Sequence, residues 1–119
     1  MKLTSKHLKF FRAECEKQLE RLGLKSWKVY YEFKKLDDAF ANTQWKYSGR
    51  VATISLADDF PKPFDSFEKQ LKETALHECL EILLASISSL AGDRRYDQIE
   101  FDKEIHIIIR ILEKVLLKG

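Results

Sequence analysis

Cysteine is nearly absent from this chain: Cys15 and Cys79 stand alone, far apart and in no Cys-x-x-Cys pair. That excludes a disulfide framework and suits a reducing compartment. Long apolar runs are missing too. The longest, Ile82-Leu83-Leu84-Ala85 and Ile107-Ile108-Ile109, fall far short of the roughly 20 residues that a spanning helix needs. The first residues, Met1-Lys2-Leu3-Thr4-Ser5-Lys6-His7, contain no apolar signal core. A cytoplasmic protein without a membrane partner is therefore expected. Charge of one sign is also lacking, since 21 basic and 19 acidic side chains leave a net charge of +2. Capture by nucleic acid or an acidic membrane needs a concentrated basic face, and this balance does not supply one. Internal repeats and low-complexity segments are absent.

What is present is a chain of 119 residues, 45% hydrophobic and 34% charged, enough for a single domain over 1–119 with its own core. Over residues 4–22, Leu8, Phe11, Cys15, Leu19 and Leu22 recur every three to four positions, which predicts a helix with one apolar stripe. Thr4 or Ser5 can cap it, and Gly23 can stop it. The period then changes to two. Trp27, Val29, Tyr31 and Phe33 alternate with Lys28, Tyr30, Glu32 and Lys34, as in a strand with one buried face. Asp37-Asp38 marks a turn, and Ala39, Ala41, Thr43, Trp45 and Tyr47 alternate again. Ser48-Gly49 reads as a tight connection in which Gly49 takes positive φ, leading into a third strand over residues 50–56. Strands joined so closely are expected to be antiparallel.

Residues 57–66 contain Pro61 and Pro63 and read as a loop. Asp65, with Glu68 three positions on, can open a second long helix running to about residue 90. A last helix is expected over residues 98–118. The predicted architecture is α+β: an N-terminal helix, a three-stranded, antiparallel-leaning sheet and two antiparallel C-terminal helices.

The chemistry-bearing residues lie on the second long helix. His77 and Glu81 are four apart and share a face, and Glu78 follows about 100° around. Two donors at that spacing can hold a metal, and the carboxylate after the first can serve as general base. An ordinary amphipathic helix gives the same pattern, with Glu73, His77, Glu78, Glu81 and Ser88 on one side and Leu76, Cys79, Leu80, Leu83 and Ile87 largely on the other. On the last helix, His106 shares a face with Asp102, Arg110 and Glu113. If the two helices are antiparallel neighbours, His106 can meet His77 and Glu81. Two histidines and a glutamate with a fourth position open form a common catalytic zinc set. Cys79 lies about 200° around from His77 and reads as a buried small hydrophobe.

These pieces resemble the small zincin-like proteins of phages and prophages. The resemblance rests on Trp27, the strand Arg50-Val51-Ala52-Thr53-Ile54-Ser55-Leu56, the helix Ala75-Leu76-His77-Glu78-Cys79-Leu80-Glu81 and the segment from Ile105 and His106 to Glu113. It covers most of the chain from Trp27 onward. It implies a metal-dependent hydrolase of zinc peptidase type, with His77 and His106 as ligands, Glu78 as general base and a peptide or protein as substrate. It also implies residence in the cytoplasm of a bacterial host cell. The chain departs from the family pattern at Glu81, where that pattern has histidine. Glutamate is itself a competent ligand, so the set can be preserved as His77, Glu81 and His106 with Zn2+. The alternative is a decayed centre on a retained scaffold, acting as an interaction module or phage accessory protein. The apolar last helix can then supply a partner surface, including that of a homodimer. Basic residues near the sheet (Lys28, Lys34, Lys46, Arg50) stand among Glu32, Asp37 and Asp38, so a solvated face is favoured over nucleic-acid binding.

Overall fold

The computed structural model describes residues 1–60, 66–91 and 98–117. The elements run α1 (Ser5–Arg21), β1 (Lys28–Lys34), β2 (Ala41–Lys46), β3 (Val51–Ala57), α2 (Phe67–Leu83), α3 (Ala85–Ala91) and α4 (Gln98–Leu117). This is the expected α+β layout. Thr4 is the N-cap of α1, and its backbone N–H donates to His7 Nδ1 at 2.9 Å. Gly23 ends the helix in the left-handed region, at φ 72°. That turn lets Leu24 N–H reach back to the Leu19 carbonyl at 2.8 Å, satisfying an orphan acceptor of the last helical turn.

The sheet corrects the antiparallel expectation. Its order is β1-β3-β2, with β1 parallel to β3 and β2 antiparallel to β3. The β2–β3 hairpin forms as the spacing predicts, but β3 then inserts beside β1. The composition of β3 accounts for this. Ala52 and Ile54 through Ala57 are all buried, whereas β1 and β2 alternate between exposed and half-buried positions. A strand that buries nearly all its side chains is stable only at the centre of a sheet. Its one buried hydroxyl, Ser55, donates to Glu32 of the neighbouring strand at 3.0 Å.

One face of the sheet carries the core. Phe11, Cys15 and Leu19 of α1 meet Leu71, Ala75, Cys79 and Ile82 of α2 over Ile54 and Leu56. The two buried cysteines touch, Cys79 Sγ lying 3.5 Å from the Cys15 carbonyl. The other face presents Lys28, Tyr30, Glu32, Lys34, Asn42, Gln44 and Lys46 to solvent.

The long second helix predicted to residue 90 is divided at Leu84 into α2 and α3, and nothing in the sequence there explains the break. Its N-cap is Ser66, whose hydroxyl accepts from Lys69 N–H at 3.3 Å. Asp65, the expected cap, lies outside the described residues. α4 packs on α3 and buries Ile108, while Ile107, Ile109 and Leu112 remain exposed. No helix of the described residues is long and apolar enough to cross a membrane.

The β2–β3 turn also departs from expectation. Arg50, not Gly49, holds positive φ, at 49°. A Cβ at Gly49 would meet nothing closer than Val51 Cγ2 at 3.6 Å, an ordinary contact. Gly23→Ala is therefore expected to cost about 1–2 kcal/mol of stability through backbone strain alone, while Gly49→Ala is tolerated. Urea unfolding of the two variants checks this, and equal losses would contradict it.

Candidate metal centre

α2 is placed by its buried residues, Leu71, Thr74, Ala75, Glu78, Cys79, Ile82 and Leu83. Their three- and four-residue steps form one stripe, and Glu78 lies within it. This corrects the expectation that Glu78 faces outward. Leu76, expected inward, is 37% exposed. A carboxylate on the inward stripe must find a donor. Glu78 is 4% exposed, and Thr43 Oγ1 on β2 donates to its Oε1 at 2.8 Å. Burial pushes the Glu78 carboxyl above the usual carboxylate range. The Thr43 hydrogen bond opposes the shift, Glu81 adds to it, and His77 opposes it.

Thr43 was not singled out from sequence. The available signal was its place on the same strand face as Ala41 and Trp45: a polar residue on an inward face needs a buried partner. His77 and Glu81 stand on the solvent side of α2. His77 Nε2 lies 3.8 Å from Glu81 Oε1 and 4.0 Å from Glu78 Oε2. Both separations exceed hydrogen-bond length, so the imidazole sits between two carboxylates without being locked to either. Phe40, Ala41, Gln70, Glu73, Thr74, His77 and Glu78 line a cleft of ≈ 330 Å³. It lies where the start of β2 meets the middle of α2.

His106 stands apart. It is exposed on α4, and its Nδ1–H donates to the Asp102 carbonyl of its own helix at 2.8 Å. It lines a different cavity, with Asp102, Lys103, Ile107 and Arg110. Among the described residues, no group of three or more His, Cys, Asp or Glu side chains is assembled to hold a metal ion. His77 and Glu81 have the chemistry and spacing of a two-donor chelate. They do not fit the three-donor zinc centre that the resemblance implies, because His106 does not complete it.

Comparison of the chain with protein-family models, curated proteins and solved structures finds no match.

The Thr43–Glu78 bond joins a buried charge to its donor, so Thr43→Val is expected to cost about 1.5–3 kcal/mol at neutral pH. An unfolding titration that finds less than about 0.5 kcal/mol would contradict the bond. The sign of the pH dependence follows from the raised proton affinity of folded Glu78. Its contribution is fully present below the ordinary value of 4.5 and is lost as pH rises through the higher folded value. Glu78→Gln keeps an acceptor for Thr43 and removes the buried charge. Its stability relative to wild type is therefore expected to be greater at pH 8 than at pH 4, and the reverse trend in thermal unfolding would contradict the assignment.

Proposed function

We propose that this chain is a zincin-like module that receives an extended peptide or protein segment in the cleft between β2 and α2. One observation carries the reading. β2 is one of the two edge strands of the sheet, and of the two it is the one at whose start the cleft lined by Glu73, His77 and Glu78 opens. An edge strand offers a row of main-chain donors and acceptors. An extended segment can add to it through the hydrogen bonds that pair strands, with neighbouring pockets reading its side chains. Three carboxylates in and beside the cleft, Glu73, Glu78 and Glu81, favour a segment with a basic side chain. The incomplete donor set supports recognition without turnover, as in a decayed relative or a phage accessory protein in the host cytoplasm.

Metal-dependent hydrolysis of the bound segment is the second reading. The approach of His77 Nε2 to both Glu78 and Glu81 favours it. In that reading Glu78, desolvated at the cleft wall, takes a proton from the attacking water. Zinc would find two of its donors in His77 and Glu81.

Peptides selected from a random display library on the immobilised protein, then titrated into isotope-labelled protein, test the first reading. NMR shifts concentrated on Ala41 to Lys46 and on the His77 face of α2 are expected. Shifts confined to other surfaces, or no selectable peptide, would overturn it. Incubating the selected peptides with zinc-supplemented protein separates the two readings. Cleavage that disappears in Glu78→Gln would establish the second, and intact peptides favour the first.

A further inference from the structure

A second cavity, of ≈ 170 Å³, lies at the other end of β2, where the turn after α1, the β2–β3 turn, α2 and α4 meet. Its floor is apolar, with Ile82 and Ile108 both buried. Trp27 and Tyr47 wall one side, their ring centroids 6.4 Å apart. Two charged residues also line it, Arg50 and Glu104.

Arg50 is unusual in its backbone. It adopts φ 49°, a left-handed conformation that residues with a Cβ adopt at a cost, although glycine stands immediately before it. Residues held in such conformations collect at binding sites. In this conformation Arg50 Nη1 donates to Ser26 Oγ at 2.9 Å, which fixes the guanidinium at the cavity. A guanidinium has five N–H donors, and Arg50 forms no ion pair among the described residues. Glu104 forms none either. Among the described residues the cavity therefore presents one cation and one anion outside any ion pair, over an apolar floor.

We infer that this cavity is a site for a free α-amino acid with an apolar side chain. Arg50 takes its carboxylate, Glu104 takes its ammonium, and the side chain lies between Trp27, Ile82 and Ile108. The size agrees: an engineered apolar cavity of about 150 Å³ accepts benzene, so this one accommodates the side chain of leucine or phenylalanine. The charges choose among ligands of that size. A simple carboxylic acid leaves Glu104 unpaired, and a simple amine leaves Arg50 unpaired, so the zwitterion is preferred. The site shares no lining residue with the cleft between β2 and α2, and the inference is independent of the function proposed for that cleft.

Titrating L-leucine and L-phenylalanine into the labelled full chain, followed through the Trp27 indole N–H resonance, tests the inference. Saturable shifts with a dissociation constant on the order of 1 mM or tighter are expected. Arg50→Gly removes the guanidinium and also suits the left-handed backbone, so the variant stays folded. It and Glu104→Gln should each weaken binding by about tenfold or more. No saturable shift with either amino acid overturns the inference. So does undiminished binding in Arg50→Gly, and so does 4-methylpentanoate binding as tightly as leucine.

Discussion

A carboxylate with 4% of its surface exposed cannot remain in a core without a donor, and Glu78 has one in Thr43. This single contact, 2.8 Å long, relates the parts of the candidate site to one another. It joins the edge strand to the helix that packs on the sheet. It sets the rotation of α2 about its axis, because Glu78 must face β2 while Leu71, Ala75 and Ile82 face the core. That rotation sends His77 and Glu81 to solvent, side by side and within 4.0 Å of a buried carboxylate's edge or of each other. Removing either partner of a buried charge and its donor leaves the other unsatisfied, which is why such pairs constrain structure more strongly than their net stabilisation suggests.

The sheet topology supplies the other half of the arrangement. Because β3 takes the central place, β2 becomes an edge, and its two ends acquire different surroundings. The end at Ala41 meets α2 at an acidic cleft. The end at Tyr47 meets α4 and the turn after α1 at a mainly apolar cavity. A meander of three antiparallel strands would have put β2 in the middle, with both of its edges paired. The burial of Ile54 through Ala57 in β3 thus leaves β2 as one of the two edges of the sheet.

Much of this was legible in the residue pattern. The stripe from Phe11 to Leu19, the stop at Gly23, the period-two strands and the last helix all appear where local spacing placed them. Strand pairing was not legible, because alternation reports how many faces a strand buries and not which strand lies beside it. Gly49 looked like the residue needing positive φ, yet Arg50 takes it and donates to Ser26 across the turn, a tertiary contact that turn composition does not encode. Glu78 shares the outward side with His77 and Glu81 in the helical pattern, yet its spacing from Ala75 and Ile82 also puts it at the border of the inward stripe, where the structure buries it. His106 depended on the mutual rotation of two helices. The face a helix turns to its neighbour is set by all its apolar contacts together, here Ile108, Ile111 and Val115, and these leave His106 bonded to its own helix.

We propose that His77 and Glu81 remain a two-donor pair beside a buried carboxylate, with no third donor joining them among the described residues. Elemental analysis of untagged protein purified without chelator tests it most directly. Zinc far below one equivalent per chain, with no change in His106→Ala, is the expected result. About one equivalent, lost in both His77→Ala and His106→Ala, would contradict it and restore the three-donor centre.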